Sequence, residues 1–260
     1  GGTGMDYVMG GLPVWAFALA FLVAGFAGFV KGAIGFAFPL IMIAVLPSFM
    51  PTQTALAALI LPVLATNLHQ SLRGGLGAAW ASARKFWRII VACMAGIAIS
   101  APFAVILPQR VMFGLLGGAV LGFSILQLRG WVPVIATGWR KRAELIAGIV
   151  SGLYGGISGV WGPPVIVYLL AANVEKREMV RVLNVIFTGG AVILLIMHVR
   201  TGILNAQTAP LSAAMLLPAT LGLMLGFRVQ DRLDADRFRI WTLIALCLGA
   251  LNLLRRAVMG

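Results

Sequence analysis

The sequence predicts an all-α, polytopic membrane protein built from two inverted repeats of about five membrane segments each. Composition is the first reason, because 61% of the 260 residues are hydrophobic, only 10% are charged and the mean hydropathy is +1.01. Soluble domains do not have such a composition. The apolar runs are continuous rather than alternating, which indicates helices. A duplicated glycine pattern and the placement of the basic residues are the other two reasons.

A glycine-rich pattern opens each half of the chain. The sequence fits G-x-x-x-G-x-x-G-x-x-x-P from Gly28 to Pro39 and again from Gly152 to Pro163, 124 residues later. Glycine and proline inside an apolar run favour an interrupted helix. Two interruptions at corresponding places in two halves indicate a transport site. The alternative is that these glycines only let helices pack closely, since small residues at this spacing are common in membrane helices.

Five apolar segments precede the centre of the chain and five follow it. The first repeat, residues 5–128, has segments at 13–30, 36–50, 52–72, 89–107 and 111–128. After a basic cytoplasmic connector at 129–142, the second repeat, residues 143–260, has segments at 144–157, 160–172, 181–198, 206–227 and 238–254. Both repeats belong to a single integral membrane domain. The segments at 36–50 and 160–172 are shorter than the ~20 residues of a crossing helix, so whether they cross or are re-entrant stays open.

The basic residues predict the orientation of the chain. Four connections, at 73–88, 129–142, 173–181 and 228–239, contain 15 of the 20 Lys and Arg residues. Because cytoplasmic loops are enriched in Lys and Arg, these connections are predicted to be cytoplasmic and both termini to be outside. An odd number of segments per half then makes the second half enter from the opposite face, which predicts inverted repeats. A count of eight spans would instead place the connection at 228–239 on the opposite side of the membrane from the connection at 129–142.

The doubled pattern and the apolar profile resemble the sulfite exporter TauE/SafE family, and the resemblance covers essentially the whole chain. Its signature is the stretch from Gly28 to Pro39 and the stretch from Gly152 to Pro163. The resemblance implies export of a small sulfur oxyanion or organosulfonate, such as sulfite or sulfoacetate, across the inner membrane. It does not fix the compound.

Candidate site residues lie in the two predicted breaks and on polar turns of neighbouring segments. No carboxylate lies deep in an apolar segment, which favours an anionic substrate, and the N-terminus of a half-helix attracts anions. The predicted substrate-binding residues are Lys31, Gly32, Gly35, Asn67, Tyr154, Gly156, Ser158, Gly159, Trp161, Asn184 and Thr188. His69 and His198 are candidates for proton coupling.

Several of these residues also have a structural interpretation. Lys31 is equally well a lysine that snorkels to the surface from the end of its segment. Asn184 and Thr188 equally well form hydrogen bonds between helices. Trp161 is favoured slightly as an apolar packing residue, and both histidines are favoured as structural or interfacial residues.

Together these observations predict a transporter that works by alternating access, and no enzyme. Neither catalytic residues nor a cofactor nor a metal ion is expected, since Cys93 and Cys247 lie far from any Cys/His cluster. An anion channel with the same site is the first alternative, and a membrane-embedded enzyme is a weaker one. The expected partners are a small anion and the lipid bilayer, without nucleic acid. A homodimer and coupling to protons or sodium stay open.

Overall fold

The computed structural model describes residues 9–35, 37–73, 75–229, 232 and 234–259. In these residues the chain is helical and contains no β-strand. The α-helices are α1 (Val14–Ile34), α2 (Phe38–Val45), α3 (Thr52–Arg73), α4 (Leu76–Lys85), α5 (Trp87–Ser100), α6 (Phe103–Ile106), α7 (Gln109–Leu128), α8 (Arg140–Ser158), α9 (Gly162–Ala171), α10 (Lys176–Arg200), α11 (Ala209–Val229) and α12 (Ala235–Met259). Residues 5, 36 and 260, where predicted elements begin or end, lie outside the described residues.

Six stretches of helix are long and apolar enough to cross a membrane. They are Val14–Ile34, Trp87–Ile106, Gln109–Leu128, Arg181–Arg200, Ala209–Val229 and Arg239–Met259. A seventh candidate is the pair formed by α3 and α4, which is bent by 104°. The all-α membrane class predicted from composition is therefore confirmed, and the inversion of the repeats stays a prediction.

Several predicted connections are partly helical, and the one at 73–88 differs most from its prediction. The stretch at 73–88 was expected to be a basic loop, but most of it is the helix α4. Gly75 has a φ of 81°, a conformation that glycine adopts readily, and it precedes the first residue of α4. Alanine at four positions of α4 favours a helix. The basic residues Arg84 and Lys85 occupy its last turn, where cations interact favourably with the helix dipole.

The chain forms two compact units, and each contains helices from both predicted repeats. The first unit comprises residues 1–66, 105–130 and 202–260, and the second comprises residues 67–104 and 131–201. In the first unit, α1 packs against α11 and α7 packs against α12. In the second unit, α5 packs against α8, and α10 packs against α4 and α5. The compact units therefore differ from the repeats of the sequence.

Glycines of the duplicated pattern make the same close contact in each unit. A Cβ atom on Gly28 of α1 would lie 2.2 Å from the carbonyl oxygen of Ala219 on α11. A Cβ atom on Gly152 of α8 would lie 2.2 Å from the carbonyl oxygen of Cys93 on α5. The next glycines repeat this arrangement, with Leu223 opposite Gly32 at 2.3 Å and Ile97 opposite Gly156 at 2.6 Å. The first two glycines of each pattern therefore allow helices to touch backbone to backbone.

Candidate functional site

The first break in the chain lies at the third glycine of the pattern. Helix α1 continues through Gly28 and Gly32 and ends at Ile34, four residues beyond its predicted end. Gly35 is left-handed, with a φ of 89°, and its N–H donates to the carbonyl oxygen of Lys31 at 2.7 Å. Proline occurs in the first turn of α2, where a backbone N–H would make no hydrogen bond within the helix, so proline costs none. The interruption therefore depends on the third glycine and the proline.

The second break has the same construction. Helix α8 ends at Ser158, and Gly159 is left-handed with a φ of 74° and donates its N–H to Gly155 at 2.7 Å. The Ser158 hydroxyl donates to the Tyr154 carbonyl oxygen at 2.8 Å and accepts from the Val160 N–H at 3.0 Å. Helix α9 then begins at Gly162 with proline in its first turn. Ser158 therefore ties the end of one helix to the first residues beyond it.

Lys31 lies inside the first unit. It is only 1% exposed, and its Nζ donates to the Oγ1 of Thr66 on α3 at 2.9 Å. Thr66 in turn donates to the carbonyl oxygen of Pro62 at 2.7 Å. The Lys31 amino group is therefore inside the protein, and the snorkelling interpretation is wrong. Thr66 was not among the predicted site residues, although a threonine in an apolar segment marks it as a candidate partner for a buried lysine.

Three predicted residues come together in the second unit around Ser71. The Ser71 hydroxyl lies 2.9 Å from the carbonyl oxygen of Asn67 and 3.2 Å from that of Asn184. It also lies 2.8 Å from the Thr188 hydroxyl. The Asn67 side chain donates to the carbonyl oxygen of Phe187 at 3.1 Å. Serine at this position was missed, although it follows Asn67 by one helical turn and therefore shares its face.

A narrow cavity adjoins this polar cluster. It is partly open to solvent and has room for about one water molecule, and its walls come from the end of α3, the start of α4 and the first turns of α10. The lining residues are Gln70, Ser71, Gly75, Ala79, Arg181, Asn184 and Val185. Arg181 was predicted only as part of a charged turn. Its position one turn before Asn184 is the signal that places both residues on one face.

Comparison with protein families identifies the chain. The family model for the sulfite exporter TauE/SafE matches residues 20–253. The protein belongs to the TauE/SafE family. Comparison with curated proteins and with solved structures gave no significant match. The matched region of this TauE/SafE protein includes both breaks, the Ser71 cluster and the cavity. The family and the apolar helices together make the chain a multi-pass membrane protein.

Trp161 of the TauE/SafE protein lies immediately before α9 and is 2% exposed. Its ring packs edge-on against Phe187, with 6.4 Å between centroids. A Cβ atom on Gly155 would lie 2.6 Å from the Trp161 Cβ, and one on Gly190 would lie 2.7 Å from its indole nitrogen. The ring therefore fills space left by two glycines, which agrees with the packing interpretation.

The two histidines of the TauE/SafE protein lie in different environments. His69 is exposed on α3. His198 on α10 is fully buried, and neither of its ring nitrogens has a hydrogen-bond partner among the described residues. Within the same residues, no group of three His, Cys, Asp or Glu side chains has the geometry to hold a metal ion.

Proposed function

We propose that this TauE/SafE protein exports a small sulfur-containing anion, sulfite or an organosulfonate such as sulfoacetate, across the inner membrane by alternating access. The family match supports transport of this class of anion. The observation that carries the assignment to particular residues is the Ser71 cluster, which gathers Asn67, Asn184 and Thr188 within one compact unit. Buried polar residues in membrane helices mark substrate pathways.

In this proposal the polar residues supply hydrogen bonds and Lys31 supplies positive charge. The amides of Asn67 and Asn184 and the hydroxyl of Thr188 donate to oxyanion oxygens. The breaks at Gly35 and Gly159 leave helix ends whose backbone groups have no helical partner, and such ends attract charged groups. The other predicted substrate contacts, Gly32, Tyr154, Gly156, Ser158 and Trp161, stay part of the proposal, as do His69 and His198 for proton coupling.

Orientation completes the proposal. The four basic connections face the cytoplasm and both termini lie on the outer side. With the cytoplasm negative, moving one negative charge outward is favoured by ~2.3 kcal/mol per 100 mV. Export of a monovalent anion therefore does not require a coupled ion.

The direct test is flux through the purified protein in liposomes. Vesicles loaded with sulfite or sulfoacetate are expected to show efflux that saturates with concentration and accelerates when the inside is made electrically negative. Counterflow of labelled substrate identifies a carrier, since alternating access exchanges substrate across the membrane. Absence of flux for sulfite and all organosulfonates would contradict the proposed function, and flux without saturation or counterflow would contradict alternating access.

Asn184→Ala is expected to reduce kcat/KM for transport by about tenfold or more, since removing one hydrogen-bond donor to a charged group costs about 1.5–3 kcal/mol. Asn184 is buried and lines the cavity beside Ser71. The matched control is Asn252→Ala on α12, whose amide donates to the Ser48 hydroxyl at 2.9 Å. The control variant should transport normally. Equal kinetics for both variants would remove Asn184 from the site.

A further inference from the structure

Helix α4 presents an apolar side that no described residue covers. Leu76 and Trp80 lie one helical turn apart and are 75% and 72% exposed. On the other side of the helix, Ser82 is only 5% exposed, and α4 packs against α10. Exposed apolar patches mark surfaces that contact another protein or a membrane. The outer side of α4 therefore has the character of an interaction surface.

A groove lies on this outer side of α4. Its volume is about 330 Å³, within the ~300–1,000 Å³ of pockets for small molecules, and it is open to the surroundings. A Cβ atom on Gly77 would meet no heavy atom within 4 Å, so the space beside this glycine is free of protein. The residues that line the α4 groove are Gly77, Trp80, Ala81, Arg84 and Lys85.

One of the two cations beside the α4 groove has no counter-ion. The Nζ of Lys85 donates to both carboxylate oxygens of Glu178, at 2.8 and 2.9 Å. Arg84 is exposed, and its guanidinium group makes no hydrogen bond or ion pair with another described residue. The stretch at 73–88 contains no acidic residue. The α4 groove therefore carries an uncompensated positive charge and complements an anionic group.

The α4 groove adjoins a helix that is suited to cross the membrane. Helix α5 begins at Trp87, two residues after the end of α4, and opens one of the six long apolar stretches. Helix α4 itself has 10 residues, or a length of ~15 Å, about half the thickness of the hydrocarbon core. Tryptophan and arginine at such a boundary are typical of the membrane–water interface. The α4 groove is therefore expected close to the lipid headgroups.

We propose that the α4 groove binds the headgroup of an anionic phospholipid, with the phosphate on Arg84 and the adjoining apolar part of the lipid against Trp80 and Leu76. The guanidinium group presents a planar fork of N–H donors that matches phosphate oxygens. A zwitterionic phospholipid fits less well, because no acidic side chain lines the groove to receive its cationic end. This inference goes beyond the proposed function and does not depend on which anion the protein exports.

Native mass spectrometry of the detergent-purified protein, with phosphatidylglycerol added, tests the charge in the α4 groove. Arg84→Gln is expected to weaken the binding of one phosphatidylglycerol molecule about five- to tenfold and to leave phosphatidylcholine binding unchanged. The matched control is Arg200→Gln, at the exposed end of α10, which should bind phosphatidylglycerol like the unmodified protein. Unchanged phosphatidylglycerol affinity in Arg84→Gln, or an equal loss for both lipids, would overturn the inference.

Filling the α4 groove is a second test in the same measurement. Gly77→Leu is expected to weaken phosphatidylglycerol binding at least about fivefold and to leave Tm unchanged, because its side chain enters space that is free of protein. Gly118→Leu on the exposed side of α7 is the matched control, since a Cβ atom there also meets no heavy atom within 4 Å. A folded Gly77→Leu variant with unchanged affinity would show that the lipid does not bind in the groove.

A second copy of the chain is the competing occupant of this side of α4. Trp80→Ala with an unchanged molecular mass in analytical ultracentrifugation and weakened phosphatidylglycerol binding would support the lipid site. A dimer of the unmodified protein that becomes a monomer in Trp80→Ala would instead show that another copy covers α4. That result would overturn the inference.

Discussion

Replacing Gly152 by alanine is expected to destabilise the second compact unit severely. The added Cβ would lie 2.2 Å from the Cys93 carbonyl oxygen and 2.9 Å from the Cα of Gly96. Both obstacles are backbone atoms of α5, so no side-chain rotation relieves the overlap and the two helices must separate. Overpacking typically costs 1–3 kcal/mol, and a clash with backbone places this variant at about 3 kcal/mol or above. At roughly 2–4 °C per kcal/mol, Tm should fall by about 6–12 °C.

Gly118→Ala provides a control with the opposite expected sign. No heavy atom lies within 4 Å of a Cβ at this position of α7. Alanine favours a helix over glycine by about 1 kcal/mol, so the control variant should be as stable as the unmodified protein or slightly more stable. Thermal unfolding in detergent, followed by size-exclusion chromatography, measures both. An unchanged Tm in Gly152→Ala would show that α5 and α8 do not touch as described.

Lys31→Met is expected to abolish transport and leave the protein folded. The side chain is almost fully buried, and methionine fills a similar volume without a charge. Replacing a buried charged group by an apolar residue of similar size is often neutral or stabilising. Thr66 keeps its hydrogen bond to the Pro62 carbonyl oxygen, so no hydroxyl is left without a partner. The expected results are an unchanged or raised Tm and a flux reduced at least about a hundredfold, which corresponds to ~2.7 kcal/mol of lost stabilisation.

Lys141→Met is the matched control, because Lys141 is exposed in the first turn of α8. It should transport like the unmodified protein. A loss of flux in Lys31→Met would then reflect the position of Lys31 rather than the change in net charge. The outcome that contradicts a transport role is Lys31→Met with a flux within threefold of normal. Lys31 would then be a structural residue that stabilises α3 through Thr66. A lowered Tm together with reduced flux would point to the same structural role.

Composition and the duplicated pattern were sufficient to predict the class and the family, because both depend on local properties of the sequence. An apolar run long enough to span a bilayer has few alternatives to a helix. The presence of a break in each pattern was also predictable, since glycine followed by proline favours the end of a helix, but the first helix ends four residues later than predicted. The same pattern did not distinguish Gly35 and Gly159 from Gly28 and Gly152, which lie within continuous helices and contact another helix.

Partners across helices were not predictable, because packing joins residues far apart in the chain. Arg181 was assigned to a charged turn, because basic residues are expected in cytoplasmic connections and no further role was needed to explain it. Only the folded structure shows that it lines a cavity and that Glu178 is bound to Lys85. Thr66 and Ser71 were missed for a related reason, since a small hydroxyl in an apolar segment gives no indication of which helix it will face.

Helix α4 was missed because its composition suits two structures. Tryptophan, arginine and lysine are typical of connections at the membrane interface, and the predicted loop relied on that. The same residue types also suit an amphipathic helix. Leu76 and Trp80 are 75% and 72% exposed, so α4 presents apolar side chains outward while Ala79 faces the cavity.

The interleaving of the two units has a consequence for biosynthesis. The face of α1 that contains Gly28 and Gly32 meets α11, which ends at residue 229. In a nascent chain that inserts α1 first, this face contacts lipid or a helper protein instead of α11 until most of the chain has left the ribosome. The second unit is complete in sequence at residue 201, before the first unit has received its last two helices. The second unit begins later in the chain, but its helices can therefore pack together before those of the first unit.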